Sequence, residues 1–166
     1  MAKRFLIAVL AACILAAVAG CSGNESGFSE GDLILTVDGE SFNCGANITQ
    51  VIETLGDGYD YAEGKSCAYD GLDKTYAYAQ AVFYTHPLSA GDLVYEIYTE
   101  SPKAAVSRGM TVGATRKDVT DAYGEPTKQD GGLLIYRASE RAGDPALCFE
   151  LEEDAVIAIF LTTEQI

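Results

Sequence analysis

The sequence predicts an α+β fold of two tandem αβββ units, with short helices packed on antiparallel meander sheets. Three observations predict it. Gly45–Gly56 aligns without a gap against Gly113–Gly124, with Gly, Ala, Val and the final Gly identical at matching offsets. Each copy has the marks of a helix of about two turns. Each is followed by short apolar segments separated by Gly- and acid-rich turns, the pattern of antiparallel strands.

Residues 1–20 have the layout of a secretion signal. Lys3 and Arg4 precede an uncharged apolar run, Phe5–Val18, which ends in Ala19-Gly20. The run is shorter than the roughly 20 residues of a spanning helix. Val18-Ala19-Gly20-Cys21 resembles the lipobox of bacterial lipoproteins. That resemblance implies a diacylglycerol on the Cys21 thiol and N-acylation after cleavage, with no other cofactor. Two acyl chains would hold the chain on the outer face of the cell membrane.

Cleavage would leave 146 of the 166 residues, with nine basic against twenty-five acidic side chains, a net charge of −16. Such a surface repels phosphates, which argues against nucleic acid as a partner. It keeps an exported domain soluble, or steers a cationic protein or peptide toward it. Residues 21–32 are rich in Gly, Ser and acid and are expected to be a flexible tether. The first unit is expected over 33–104 and the second over 105–166.

Within the units, Leu33–Val37 reads as a strand and Asp38-Gly39 as its turn. Asn47 and Thr115 suit N-cap positions, and Gln50 and Asp118 stand three residues on, where a capping-box partner sits. Val51 with Leu55, and Val119 with Tyr123, give each helix one apolar stripe. Gly56 and Gly124 suit helix ends, and Pro126 blocks continuation. Strands are expected at Ser66–Tyr69, Thr75–Thr85 and Leu93–Thr99, then at Leu133–Arg137, Ala146–Leu151 and Ala155–Thr162.

Gly113-Ala114-Thr115-Arg116-Lys117-Asp118-Val119, then Tyr123-Gly124-Glu125-Pro126 and an aromatic strand at Leu133–Tyr136, resembles the SmpA/OmlA (BamE-like) small lipoproteins of outer-membrane assembly. The duplicated arrangement is similar to the tandem αβββ fold of the beta-lactamase inhibitor protein. Relatives of this kind bind other proteins and are not catalytic, so the resemblance implies a binding role. The assembly lipoproteins carry one unit where two are read here. The inhibitor has tryptophans, and this chain has none.

Catalytic chemistry is sparsely represented. His86 is the one histidine, reads as an exposed loop residue before Pro87, and has no nucleophile marked beside it. Cys44, Cys67 and Cys148 are too widely spaced for a zinc site. The acidic loops at Asp57–Asp60 and Asp70–Asp73 lack EF-hand spacing and read as turns. No metal and no catalytic residue is therefore expected. Outside the cytoplasm a Cys44–Cys67 disulfide would add about 3 kcal/mol; the alternative is three buried, unreactive thiols.

Eight of the ten tyrosines fall between Tyr59 and Tyr98. On one continuous strand from Thr75 to Thr85, Tyr76, Tyr78 and Tyr84 would share a face opposite Ala77, Ala79 and Ala81. With Tyr98 these rings form a candidate binding face, or else stack on one another to stabilise the sheet. The expected function is a non-catalytic, membrane-anchored module that binds a protein or peptide. The alternative is a structural accessory of an envelope or cell-wall assembly complex.

Overall fold

A computed structural model describes residues 27–166. The expected secretion signal, residues 1–20, and Cys21 lie outside the described residues. In chain order the elements are β1 (Leu35–Val37), β2 (Glu40–Phe42), α1 (Ile48–Leu55), β3 (Asp60–Lys65), β4 (Leu72–Ala77), β5 (Val82–Leu88), β6 (Gly91–Thr99), β7 (Ala105–Val106), α2 (Arg116–Tyr123), β8 (Lys128–Asp130), β9 (Leu133–Arg137), β10 (Ala146–Glu152) and β11 (Ala155–Thr162).

Local chemistry sets both helices. Asn47 caps α1 by accepting from the Thr49 amide at 3.0 Å. At α2 the Thr115 hydroxyl accepts from the Asp118 amide, and the Asp118 carboxylate accepts in return from the Thr115 amide at 2.9 Å. The reciprocal box forms at α2, whereas α1 has no such bond from Gln50. Gly56 and Gly124 close the helices at φ 80° and 81°, a region that disfavours any side chain. Each helix has eight residues, too short to stand alone, and buries an apolar face: Ile48 and Val51 in α1, Val119 and Tyr123 in α2.

The strands form an eight-stranded antiparallel sheet in the order β3-β4-β5-β6-β11-β10-β9-β8. Two four-stranded meanders meet at its centre, where β11 pairs with β6 through Phe160↔Tyr98 and Thr162↔Glu96. A separate three-stranded sheet has the order β2-β1-β7. Its β1–β2 turn holds Asp38 and Gly39 at positive φ, as a two-residue hairpin requires.

One face of the large sheet is covered. Tyr76, Phe83, Val94, Ile97, Tyr136, Leu147, Phe149, Ile159 and Leu161 join one apolar cluster with the helices and the small sheet. The other face carries only a small buried group, Ile135, Ala146 and Cys148, with Leu133 and Phe160 against it.

These facts correct the predicted class. The described residues are mostly β, with eleven strands and two short α-helices, rather than two helix-packed αβββ units. In the large sheet four strands follow each helix, not three, and β7 of the small sheet comes after β6. The extra strands are β3 and β8, polar edge strands whose composition gives no apolar alternation. The expected boundary at residue 104 is bridged by β1 and β7, which lie on either side of it and pair. The predicted strand Ser66–Tyr69 lies between β3 and β4. The predicted strand Thr75–Thr85 is two strands, turned where the Tyr78 amide donates to the Ala81 carbonyl at 2.9 Å. Its Tyr-Ala alternation runs through a turn that contains no Gly, Asn or Pro to mark it.

Residues 27–32, which the sequence places in a flexible tether over 21–32, are packed against the fold. Phe28 packs against Tyr123 and Tyr136, with ring centroids 6.3 and 5.7 Å away. Asp32 is 5% exposed. Its carboxylate accepts from the Ser29 amide and hydroxyl, the Ser107 hydroxyl, and Arg108 Nε and Nη2, all at 2.8–3.0 Å. Arg108 also donates to the carbonyls of Gly27 and Ala122, and its guanidinium lies 5.1 Å from the centre of the Tyr123 ring. The N-terminal segment is thereby joined to the link between the meanders and to α2.

Candidate functional site

The register divides the tyrosines between the two faces. Cross-strand partners point to the same side of a sheet. Tyr76 pairs with Phe83, which is fully buried, so Tyr76 belongs to the covered face. Thr75 pairs with Tyr84, Tyr84 with Glu96, and Val82 with Tyr98, which places Tyr84, Glu96 and Tyr98 on the opposite, more open face.

Of the four tyrosines expected to form one binding face, two are therefore elsewhere. Tyr76 is 6% exposed and contacts Tyr59 and Tyr61 edge-on. Tyr78 lies in the β4–β5 turn, contacts Phe83 and Tyr59, and donates to the Gly56 carbonyl at 2.8 Å, closing over the end of α1. The structure brings together Tyr84 and Tyr98, and adds Tyr95 and Phe160. Tyr84 lies 6.2 Å from Tyr95, and Tyr98 stacks on Phe160 at 6.3 Å. A register shift in β5–β6 leaves Tyr95 as an extra residue, which bulges β6.

Glu96 lies in the middle of this face, between Tyr84 on β5 and Thr162 on β11. Burial raises the pKa of its carboxyl above the ordinary 4.5; a hydrogen bond from the Thr162 hydroxyl opposes the rise and nearby Glu164 adds to it. No salt bridge among the described residues includes Glu96. Its aromatic neighbours stay neutral: burial and the Glu96 charge raise Tyr84, and burial with Glu96, Asp73 and Glu164 pushes Tyr95 up to about 12. The Tyr98 hydroxyl donates to Glu100 at 2.6 Å.

This arrangement gives a stability prediction with a definite sign. A carboxyl with a raised folded pKa binds its proton more tightly in the folded state, so stability falls as pH rises through that value. Glu96→Gln is expected to raise the unfolding temperature at neutral pH. The gain should fade below pH 4.5, where the wild-type group is neutral in both states. Thermal unfolding of both proteins across this range measures it, and a gain that does not change with pH would contradict the desolvation argument.

A second group adjoins the first. The His86 ring stacks on Tyr95 at 3.9 Å and 9°, with Tyr69 on it at 4.7 Å. Its Nδ1 lies 2.8 Å from Asp73 and its Nε2 3.0 Å from Glu164, so both ring nitrogens face carboxylates. His86 is thus a part-buried residue of β5, with its side chain 13% exposed, and not the exposed loop histidine expected.

The proposed Cys44–Cys67 pair is not joined, and all three described thiols are free. Cys44 lies after β2 and donates to the Tyr95 carbonyl at 3.4 Å, whereas Cys67 is exposed in the β3–β4 connection. Burial pushes the Cys44 and Cys148 thiols up to about 12, so both remain protonated and weakly nucleophilic. No group of three or more His, Cys, Asp or Glu among the described residues could hold a metal ion.

No protein-family model, curated protein or solved structure matches the chain.

Glu96, Tyr95 and Phe160 escape a reading by sequence. Glu96 is one charge in the run Leu-Val-Tyr-Glu-Ile-Tyr, and that interruption of an apolar strand is the only local signal it carries. Phe160 falls within an uninterrupted apolar segment, where nothing distinguishes a residue facing the core from one facing away.

Proposed function

We propose that the chain is a lipid-anchored, non-catalytic binding module on the outer face of the membrane, and that it holds a cationic protein or peptide on the open sheet face. Glu96 is the observation that carries this reading. A partly desolvated carboxylate without a cation of its own lowers stability, and such a group is retained where binding needs it. A lysine or arginine from a partner would neutralise it, with Tyr84, Tyr95 and Tyr98 offering ring faces and edges around the cation. The acidic balance of the chain would favour the same encounter. Both ring nitrogens of His86 are engaged, and the buried thiols are protonated, which supports a non-catalytic role. The lipobox-like Val18–Cys21 supports the anchor, and the SmpA/OmlA-like helix start supports an envelope location.

Capture of partners from native envelopes tests it. Glu96→Lys and Tyr98→Ala are each expected to reduce recovery about tenfold or more, as loss of a central contact does. Glu53→Lys makes the same charge change on the exposed side of α1 and is expected to retain partners. Cys21→Ser is expected to leave the chain outside the membrane fraction. Equal recovery by wild type, Glu96→Lys and Tyr98→Ala would remove the open face as the site.

A further inference from the structure

The two edges of the large sheet are built differently. β8 has three residues, begins with Lys128 and follows Pro126, all devices that discourage pairing. The edge strands of the small sheet are also short, three residues in β2 and two in β7. β3 has six residues, Asp60-Tyr61-Ala62-Glu63-Gly64-Lys65, and every one is exposed. It pairs with β4 over six consecutive positions without a bulge, and it contains no proline. Among the described residues it is the one edge strand longer than three residues.

The free side of β3 follows from the register. The Ser66 amide donates to the Gly71 carbonyl at 3.1 Å, which marks Ser66 and Gly71 as a hydrogen-bonded pair in line with Lys65↔Leu72. Backbone groups alternate in direction along a strand. Asp60, Ala62 and Gly64 therefore bond inward to β4. The N–H and C=O groups of Tyr61, Glu63 and Lys65 point away from the sheet.

The charges around this edge select the occupant. Asp57, Asp60, Glu63 and Asp70 surround it, and none belongs to a salt bridge among the described residues. Lys65 is the single cation on the strand, and neighbouring Lys74 is held by Asp92 at 2.6 Å. A second copy of the chain fits poorly in the two registers that pair most of β3, those with the axis at Ala62 or Glu63. Antiparallel partners share a face, so a two-fold axis must pass through a residue of β3. An axis at Glu63 opposes the two Glu63 carboxylates directly, and one at Ala62 places them diagonally, about 7–8 Å apart. Each copy also carries a strong net negative charge.

We propose that β3 is a docking edge for an extended, basic segment of another protein, which adds to the sheet as a ninth strand. This rests on the reading of the chain as a binder of a cationic partner, and it names the part of the partner that engages the edge. Main-chain bonds to Tyr61, Glu63 and Lys65 supply register, and basic side chains opposite Glu63 and Asp60 supply selectivity.

The probe is an alternating Lys-Thr peptide of about eight residues, a usual strand length, titrated into the full chain in non-ionic micelles. Amide exchange is read by NMR. The peptide is expected to slow exchange at Tyr61, Glu63 and Lys65 about tenfold or more, with little change at Ala62 and Gly64. A Glu-Thr peptide is expected to have no such effect. Glu63→Pro removes only an outward N–H, so the β3–β4 ladder survives while strand addition is blocked. Lys65→Pro is a second variant of the same kind. Both are expected to abolish the protection while keeping the wild-type unfolding temperature within a few degrees.

No binding up to about 1 mM, binding that leaves the three outward amides unchanged, or equal protection in both proline variants would overturn the proposal. Self-association of the free chain that Glu63→Pro abolishes would also overturn it, by making the edge a contact between copies. Glu63 and Glu96 lie on opposite faces. Peptide protection can therefore fail while Glu96-dependent capture persists, and the reverse, so the two readings fail separately.

Discussion

Asp32→Ala is expected to lower unfolding stability by about 3 kcal/mol, the scale for removing one partner of a buried ion pair. For a chain of this size that is a fall of roughly 6–12 °C in unfolding temperature. Asp32 is 5% exposed, and its carboxylate accepts from Ser29, Ser107 and Arg108. Removing it leaves the Arg108 guanidinium and the Ser107 hydroxyl without their shared acceptor. It also removes the bonds by which Asp32 ties its own segment to Ser107 and Arg108, leaving the Arg108 bond to the Gly27 carbonyl and the packing of Phe28.

The pH dependence of this site has the opposite sign to that of Glu96. Burial alone would raise the Asp32 carboxyl, but hydrogen bonds from Arg108, Ser107 and Ser29 outweigh it and hold the group below its ordinary 3.8. A carboxyl with a lowered folded pKa contributes stability above its unfolded value and loses it as pH falls through the folded one. The gap between wild type and Asp32→Ala should be widest at neutral pH and narrow below 3.8. Chemical denaturation at a series of pH values measures it. A gap independent of pH would mean that the charge contributes nothing and only shape matters.

Tyr123→Ala is expected to have an effect of about 4 kcal/mol, within the range for truncating a buried aromatic. Tyr123 is 1% exposed, and its ring contacts Phe28, Tyr136 and Phe149. This one side chain joins α2 to the N-terminal segment, β9 and β10. Tyr123→Phe keeps the ring and removes only the hydroxyl's bonds to Ser107, so about 1 kcal/mol is expected. A double-mutant cycle with Asp32→Ala should be non-additive, because Ser107 bridges the two side chains. Additive losses would show that the aromatic cluster and the ion pair are independent.

The parts legible in the sequence are those whose signals lie within a few residues. Asn47 and Thr115 cap the helices they were expected to cap, and Gly56 and Gly124 end them. Asp38-Gly39 turns the first hairpin, and β9, β10 and β11 lie where apolar segments between turns placed them. The local signal is absent where a segment has no apolar pattern or no turn residue. β3 and β8 are polar at the edges of the sheet, and the turn at Tyr78–Ala81 is made of residues that equally suit a strand.

The candidate site was only half legible for the same reason. Tyr84 and Tyr98 were visible as part of a tyrosine-rich stretch, but alternation assigns a face only along an unbroken strand. The turn after β4 resets that phase. Tyr76 and Tyr84 consequently fall on opposite faces of the sheet.

What the sequence determines by itself is local: two capped helices, their stops, one hairpin turn and most of the inner strands, because capping bonds between near neighbours set the helices and apolar segments between turn residues mark the strands. What the tertiary structure decides is how distant segments meet. The β6–β11 pairing joins the two meanders and sets Glu96 beside Thr162, between rings from three strands. Desolvation of that carboxylate depends on every segment packed around it, and no stretch of the chain read alone contains it.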